Sequence, residues 1–256
     1  MGVLNVTPDS FSDGGRYLDP VAAIAHGRRL IAEGADVVDV GGESSRPGAE
    51  PVAEADELRR VLPVIEALAP EVRVSIDTVK PAVARAAVES GATLVNDVSA
   101  SPALAAIAAE QGVGYVVMHR RGDPKTMQID PCYDDVVAEV AAFLVEHAER
   151  AAAAGVDEIW LDPGIGFAKT AAHNLSLLRH LDQLVALGYP VLVGTSRKAF
   201  LEGLLTASDG RSDPVPADDR VEGSLATATW AMVHGAAMIR VHDVRSSVQA
   251  AKVVAA

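Results

Sequence analysis

The sequence predicts a single-domain (β/α)8 barrel that spans residues 1–256. The length suits one α/β barrel, which commonly forms a single domain of this size. Short β-branched runs alternate with longer helical patterns rich in Ala and Leu along the whole chain. Nearly every predicted strand also ends close to a polar or charged residue, as is typical of barrels whose strand ends converge on one active-site face.

Each predicted element follows from this alternation. The strands cover residues 2–7, 36–42, 72–77, 93–98, 114–119, 158–163, 191–196 and 238–243. The helices cover residues 19–33, 52–68, 79–90, 101–111, 133–154, 172–187, 220–234 and 245 to the end, and a short extra helix is predicted near 197–205. A doubly wound open sheet is the alternative, but it normally has fewer strands and a Gly-x-Gly-x-x-Gly sequence after the first strand, which is missing here.

Charge and cysteine content exclude several classes of function. The net charge of −13 offers no broad basic face to a nucleic acid, so a phosphate site has to be built locally from a few cations and backbone N–H groups. The single cysteine, Cys132, cannot form an intramolecular disulfide, and no Cys/His metal spacing occurs. No signal peptide and no long apolar run is recognisable, so we expect a cytoplasmic protein without a membrane partner.

Three long loops are candidates for function. They follow strands one, two and five, and their sequences are TPDSFSDGGRY, GGESSRPGAEP and RRGDPKTMQIDPC. Long loops in compact domains are often functional, and these leave the carboxyl ends of strands, where barrel enzymes carry out their chemistry. Residues 206–219 also lack a regular pattern, and the sequence predicts no role for them.

Polar residues at the strand ends are predicted to line one mouth. Capping of the next helix is the alternative for any single residue, and Asp77–Thr78 and Asp97 are candidates for it. Capping alone does not explain eight such ends, nor the presence of His and of nearby Arg and Lys. The strand-end residues are Asn5, Asp39, Asp77, Asn96, His119, Asp162, Ser196 and His242.

Basic residues near these ends favour an anionic substrate. Arg240 and His242 are two positions apart on one predicted strand, so they share a face and form a natural anion clamp. Pairing of Arg240 with a buried carboxylate such as Asp39 is the alternative. Arg46 lies in a Gly/Pro loop beside Ser45, where backbone N–H groups can join it on phosphate oxygens.

The segment GTSRK predicts a second anion-binding element. Ser196, Arg197 and Lys198 open the extra helix after the seventh strand, a position that commonly holds phosphate in barrels. A Schiff-base role for Lys198 is the alternative, but such lysines usually lie inside a strand among apolar neighbours.

A set of hydrogen-bond acceptors is predicted beside these cations. Asp77, Asp162 and Asn96 suit a flat heterocycle that carries N–H and NH2 donors. A buried ion pair between these carboxylates and Lys198 is the alternative, and both interpretations can hold together.

Eight segments in order resemble the dihydropteroate synthase family of pterin-binding enzymes. They are NVTPDSFSDGG, DVGGESSRPGA, SIDT, LVNDVS, MHRRGDPKTMQ, LDPGIGFAKT, LVGTSRK and IRVHD, and together they cover essentially the whole chain. The resemblance implies a transferase of folate biosynthesis in which a hydroxymethyl-dihydropterin pyrophosphate condenses with p-aminobenzoate. Dihydropteroate and pyrophosphate leave, Mg2+ assists, and sulfonamides compete for the p-aminobenzoate site.

The resemblance also implies a role for individual residues. Asp77, Asp162, Lys198 and Arg240 would be catalytic. The pterin would be held by Asp77, Asn96, Met118, Asp162 and Lys198. The pyrophosphate would be held by Ser45, Arg46, Arg240 and His242, with Asn5 as a ligand of Mg2+. The p-aminobenzoate site would be formed by Phe11, Pro47, Phe167 and Ser196.

The sequence departs from the family pattern at few positions. MHRRG is more basic than the MHMQG associated with many members, so contacts near Arg120 and Arg121 are expected to differ. A corrinoid methyltransferase is a rival class, but its substrate carries no pyrophosphate and needs neither the ESSRPG loop nor the Arg-x-His pair. A degenerate pterin-binding paralogue is a second rival, and it should have lost one of Asn5, Arg46, Lys198 or Arg240. The resemblance further suggests a homodimer that associates through helices near the C-terminus.

Overall fold

A computed structural model describes residues 1–7, 20–44, 50–122 and 126–256 of the chain. All eight predicted strands are present: β1 (Gly2–Asn5), β2 (Val37–Gly41), β3 (Arg73–Asp77), β4 (Leu94–Asp97), β5 (Gly114–Met118), β6 (Ile159–Asp162), β7 (Leu192–Val193) and β8 (Met238–Ile239). The helices in the described ranges are α1 (Pro20–Ala32), α2 (Glu54–Leu68), α3 (Pro81–Glu89), α4 (Pro102–Gln111), α5 (Val136–Ala153), α6 (Ala171–Arg179), α7 (Leu181–Val185), α8 (Ala199–Ser208), α9 (Val221–Val233) and α10 (Val244–Val254). A short 3-10 helix spans Ala217–Asp219.

The strands close into a parallel barrel. β1 to β6 pair in sequence order, and β7 pairs with β8. Leu161 pairs with Val191, which joins β6 to β7, and Gly2 pairs with Val241, which joins β8 to β1. The N–H of Val3 donates to the carbonyl of Val241 at 2.9 Å across the second of these contacts. The predicted (β/α)8 barrel is therefore confirmed.

Two predicted elements differ in detail. The strands predicted at 191–196 and 238–243 are regular over two residues each, because their polar ends leave the sheet early to form the turns described below. The helix predicted at 172–187 is divided into α6 and α7 at His180, whose φ of −109° and ψ of 30° break the helical run.

The segment without a predicted role is anchored to its surroundings. Val215 is buried, and its N–H donates to the hydroxyl of Thr206 at 3.1 Å. Arg220 donates from Nε to the carbonyl of Val215 at 3.0 Å and also pairs with Glu202. The segment thus connects the end of α8 to the start of α9.

The barrel interior has two layers that follow the period of two along each strand. The lower layer is apolar and consists of Met1, Val37, Leu94, Val116, Trp160, Leu192 and Met238. Two residues further along five of these strands lie Asp39, Asn96, Met118, Asp162 and Arg240, which we call the upper layer. The alternation therefore puts polar groups on the same interior face as the apolar plug, but nearer to the mouth.

A larger apolar core lies between the barrel and the helices, where side chains from both pack together. Leu4, Val38, Ile76 and Leu161 come from the strands, and Ile65 is among the residues that meet them from the helices. Among the helices in the described ranges, none combines the length and the apolarity that crossing a bilayer requires.

Candidate active site

Arg240 lies at the centre of a buried charge cluster in the mouth. Its Nε donates to Asp39 Oδ2 at 2.6 Å, and its Nη2 donates to Asp77 Oδ2 at 2.8 Å. Asn96 Nδ2 donates to the same oxygen of Asp39 at 3.0 Å. These side chains come from β2, β3, β4 and the end of β8, so contacts between non-neighbouring strands can form only across the interior.

The structure therefore shows the pairing of Arg240 with a buried carboxylate, which was the alternative to an anion clamp. Burial acts against the charge of its guanidinium, but Asp39 and Asp77 outweigh burial and raise the pKa of Arg240. Its side chain keeps 19% of its surface exposed, whereas that of Asp39 has none. Arg240 is thus held by two carboxylates and keeps part of its side chain exposed, where it can meet an anion.

The two site carboxylates are electrostatically unusual. Burial raises the pKa of Asp77 to about 7, although the Arg240 charge opposes the shift. Burial likewise raises the pKa of Asp162, and Lys198 and the N–H of Gly164 oppose it. Asp162 Oδ1 accepts that N–H at 2.7 Å. Such shifted carboxylates in a cleft are typical of functional sites.

Lys198 connects the turn after β7 to the β6–α6 loop. Its Nζ donates to the carbonyl of Ile165 and lies 4.7 Å from the centre of the Phe167 ring. Burial lowers the pKa of Lys198 to about 8, while Asp162 acts in the opposite direction. Within the described ranges Lys198 forms no hydrogen-bonded ion pair with a carboxylate, so the ion pair weighed as an alternative is not formed directly.

Glycines create the space that this arrangement needs. A Cβ on Gly166, whose φ is +83°, would lie 2.9 Å from Cδ of Lys198. A Cβ on Gly194 would lie 3.6 Å from Cβ of Arg240 and 3.9 Å from Nζ of Lys198. The Gly194 position thus lies close to both Arg240 and Lys198, at ordinary van der Waals separations.

Ser196 and His242 meet at the ends of β7 and β8. The N–H of His242 donates to Ser196 Oγ at 3.1 Å, and this oxygen lies 2.9 Å from Nδ1 of His242. The Ser196 hydroxyl can therefore donate to the ring nitrogen. The pair fixes the orientation of the imidazole at the same mouth as Arg240.

Arg197 does not point into the mouth, contrary to the prediction for the GTSRK segment. Its guanidinium donates to Asp243 at 2.7 Å and 3.2 Å. Its backbone has a φ of +60°, and its N–H donates to Ser224 Oγ at 2.9 Å. With Arg197 directed outward, its neighbours Ser196 and Lys198 are directed inward.

Asn5 and Met118 also reach the mouth. A Cβ on Gly41 would lie 3.6 Å from Asn5 Oδ1 and 3.6 Å from Cβ of Asp77. The amide oxygen of Asn5 thus lies beside the carboxylate cluster, where it can accept a hydrogen bond or bind a metal ion. Met118 is buried and pairs in register with Asp162. No group of three or more potential His, Cys, Asp or Glu ligands occurs in the described part of the chain.

Four predicted site residues lie outside the described residues: Phe11, Ser45, Arg46 and Pro47. The structure brings the others to one mouth, namely Asn5, Asp77, Asn96, Met118, Asp162, Phe167, Ser196, Lys198, Arg240 and His242. Capping of α4 by Asp97 is wrong, because the N-cap is Ser101; the Asp97 carboxylate instead starts the preceding turn and accepts the N–H groups of Ser99 and Ser101 at 2.7 Å and 2.6 Å. Capping by Asp77 is wrong, because its carboxylate pairs with Arg240 and α3 begins after Lys80.

The sequence did not predict the roles of two buried residues, Asp39 and Lys169. Asp39 was expected at a strand end, but it occupies the middle of β2 and is the shared acceptor of Arg240 and Asn96. Its charge inside a predicted buried strand was the available indication. Lys169 is a buried lysine in the β6–α6 loop, and its place in a Gly-rich loop gave no indication of burial.

Comparison with known proteins assigns this mouth to a family. The sequence matches the family described as pterin binding enzyme over residues 1–242. The dihydropteroate synthase of Mycobacterium leprae is 52% identical, with 100% of this chain and 92% of that protein aligned.

Two solved structures share the fold. The Yersinia pestis dihydropteroate synthase, solved with a sulfonamide drug complex, has a TM-score of 0.91 and 45% identity over 99% of this chain and 92% of that one. The Xanthomonas albilineans dihydropteroate synthase, solved with 4-aminobenzoic acid, has a TM-score of 0.88 and 48% identity over 98% and 90% of the two chains. This chain therefore belongs to the pterin-binding enzymes and, among them, to the dihydropteroate synthase family.

Proposed function

We propose that the chain condenses 6-hydroxymethyl-7,8-dihydropterin pyrophosphate with p-aminobenzoate to give 7,8-dihydropteroate and pyrophosphate. The observation that carries the proposal is the convergence of acidic acceptors and cations on one mouth. Asp77, Asn96 and Asp162 come from three strands, and Lys198 and Arg240 lie beside them. A substrate with a donor-rich ring at one end and an anion at the other matches this division.

The carboxylates and the amide are proposed to bind the pterin. Its ring N–H and NH2 groups are donors, and Asp162 and Asn96 supply buried acceptors. Asp39 is fully buried, and its Oδ1 has no hydrogen-bond partner among the described residues. A buried acceptor without a donor is costly, so a ligand donor near this oxygen would be favourable. Met118 would pack on the flat ring from the β5 side.

The cations are proposed to bind the leaving group. C–O cleavage moves the bonding electron pair onto a pyrophosphate oxygen and leaves a cation that spreads over the pterin ring. Arg240 and His242 would hold the departing oxygens, and Asp77 and Asp162 would stabilise the positive ring. Preorganised charges of this kind contribute about 3–4 kcal/mol each to barrier lowering in a water-poor site. Ser45 and Arg46 would join them from the second loop.

Mg2+ is the proposed cofactor. It commonly binds through one or two protein oxygens together with substrate phosphates, so it needs no cluster of protein ligands. The amide oxygen of Asn5, beside Gly41 and Asp77, fits that requirement. When bound, Mg2+ would neutralise charge on the pyrophosphate.

The p-aminobenzoate amine is proposed to attack the methylene carbon of the pterin cation. The amine is neutral at pH 7, so it needs no strong base before it attacks. The ammonium formed by the attack then releases one proton to water, which gives the secondary amine of dihydropteroate. Phe167 and Ser196 would line this second site, with Phe11 and Pro47 from the loops. Sulfonamides, which resemble p-aminobenzoate, would compete there.

A homodimer is proposed as the assembly. Leu204 on α8, Trp230 and Val233 on α9 and Val253 on α10 are exposed large apolar side chains. These side chains come from the last three helices, and exposed apolar groups there would favour association. Sedimentation would test whether the protein is a dimer. The cytoplasmic location stays a prediction from the sequence, and cell fractionation would check it.

The test is an assay of pyrophosphate release with each substrate alone and with both. We expect release that requires the pterin pyrophosphate, p-aminobenzoate and Mg2+ together, and a stoichiometric dihydropteroate product. Methyl transfer from methyltetrahydrofolate to a corrinoid without pyrophosphate release would instead support the rival class.

A further inference from the structure

The β6–α6 loop is held by side chains at five successive carbonyls. Ala168 has a φ of +50°, and Gly164 and Gly166 also have positive φ, so the loop follows a path that ordinary backbone preferences do not specify. Within the described residues these carbonyls accept from side chains, and that of Gly164 also accepts the N–H of Phe167 at 3.0 Å. The side-chain donors are Lys169 to Gly164 and Phe167, Lys198 to Ile165, Gln128 to Gly166 and Tyr133 to Ala168.

Among the side-chain donors that the structure describes, Lys169 is the one that reaches two of these carbonyls. Its Nζ lies 3.0 Å from the oxygen of Gly164, 3.0 Å from that of Phe167 and 2.9 Å from Nδ1 of His119. Its residue surface is 4% exposed. Three acceptors for one ammonium use all its donor capacity. No salt bridge to a carboxylate of the described residues accompanies them.

His119 is suited to accept from this ammonium. Burial, together with the charges of Lys169 and Arg121, lowers the pKa of His119 to about 3, so the ring is neutral near pH 7 and Nδ1 can act as an acceptor. Burial also lowers the pKa of Lys169 to about 7, so the ammonium with its three donors predominates at pH values below 7. His119 follows β5 directly, so Lys169 ties the loop to the end of a neighbouring strand.

The loop in turn presents Phe167 and the Ile165 carbonyl to Lys198. The Phe167 ring lies beside the Lys198 ammonium, and the Phe167 carbonyl is held by Lys169. Phe167 can keep this place only while its backbone is fixed. We propose that Lys169 is a positioning residue for the arylamine substrate, acting through the β6–α6 loop to hold Phe167 against Lys198. The proposal rests on the proposed function for the identity of that substrate.

The geometry predicts an effect on one substrate more than on the other. Asp77 and Asn96 lie on strands and keep their positions without the loop. Asp162 lies on β6, although its Oδ1 also accepts the N–H of Gly164 from the loop. Phe167 lies in the loop itself. Loss of the ammonium should therefore weaken p-aminobenzoate binding while pterin binding is largely kept, a separation that general loosening of the mouth would not produce.

The test compares Lys169→Met with the wild type and with Tyr133→Phe. Methionine keeps the length of the side chain and removes the three donors, so we expect the KM for p-aminobenzoate to rise by at least about tenfold. The Kd for the pterin, measured by calorimetry without p-aminobenzoate, should change by less than about threefold. Tyr133→Phe is the matched control, because it removes one hydrogen bond to a carbonyl of the same loop. It should change both the KM and the Kd by less than about threefold.

Three results would overturn the proposal: an unchanged KM in Lys169→Met, equal losses for both substrates, or equal effects of Lys169→Met and Tyr133→Phe. If Lys169→Met does not fold, His119 replaces it as the test. His119→Asn keeps an acceptor near the position of Nδ1 and should retain the KM, whereas His119→Leu removes it and should raise the KM. Equal KM values in these two variants would also overturn the proposal. Wild-type protein without pyrophosphate release would refute the proposed function instead.

Discussion

The lower and upper layers of the barrel interior lie two residues apart along the same strands and differ completely in chemistry. Val37, Leu94 and Met238 belong to the apolar lower layer. Asp39, Asn96 and Arg240, each two positions later, form a hydrogen-bonded charge cluster. The lower layer resembles an ordinary core, whereas the upper layer contains groups that a stable core would avoid.

The difference shows that residues which stabilise the barrel and residues which serve its function lie only two positions apart along the same strands. Burying Asp39, Asp77 and Arg240 is expensive, because desolvation opposes each charge and only mutual pairing offsets it. An apolar layer beneath them closes the barrel and keeps water away from the charges.

Arg240→Met should have the largest effect. It leaves Asp39 and Asp77 buried without their cation, which typically costs about 3–5 kcal/mol of the free energy of unfolding. It should also abolish turnover and weaken both pterin and pyrophosphate binding, because Arg240 orders the acceptors as well as facing the anion. Urea unfolding at pH 8 and calorimetry with each ligand would measure this. Loss of pyrophosphate affinity alone would show that the carboxylates do not depend on Arg240.

Leu94→Ala should be nearly as destabilising but functionally silent. Leu94 is fully buried in the lower layer, and removing a buried leucine side chain costs about 2–5 kcal/mol. The KM values, measured well below the unfolding temperature, should stay within about twofold of the wild type, because lower-layer packing does not touch the ligands. A large rise in KM with Leu94→Ala would contradict the claim that packing in the lower layer does not affect ligand binding.

Asp77 should make the stability depend on pH in an unusual direction. Its folded-state pKa is about 7, above the ordinary value of 3.8, so its proton is held more tightly in the folded protein. The stabilisation is complete below the ordinary value and is lost as pH rises through about 7. The difference in unfolding free energy between wild type and Asp77→Asn should therefore fall between pH 4 and 7 by up to about 1.4 kcal/mol per pH unit. A difference that rises with pH would contradict this assignment.

Arg73→Met at the base of the barrel should have the smallest effect. Arg73 donates to Glu158 at 2.6 Å, but the two side chains are 31% and 41% exposed. Partly exposed pairs of this kind contribute about 0–1 kcal/mol. Turnover should be unchanged in Arg73→Met, whereas it should be abolished in Arg240→Met. Parallel assays of the two variants would measure this difference.

The sequence was sufficient to predict the barrel because the alternation of β-branched and Ala/Leu-rich runs is a local property. It was less precise at β7 and β8, where Ser196 and His242 leave the sheet to bond each other. A hydrogen bond between residues 46 positions apart in sequence has no local signature. For the same reason the sequence did not show the division of α6 from α7 at His180.

The sequence predicted that the described candidate residues converge on one mouth, but it did not predict their contacts with one another. Residue type and spacing identified Arg240, Asp77 and Lys198. The contacts of Arg240 with Asp39 and Asp77 depend on strand register around the closed barrel. The outward direction of Arg197 depends on a positive φ and on Asp243. Lys169 could not be predicted as a buried lysine, because its acceptors are backbone carbonyls that exist only once the loop is folded.

The most direct test is a crystal structure of the protein soaked with 7,8-dihydropteroate. The account predicts the pterin ring against Asp77, Asn96 and Asp162, and the benzoate half beside Phe167 and Lys198. Ligand bound outside the mouth, or a pterin ring that contacts none of the three acceptors, would contradict it.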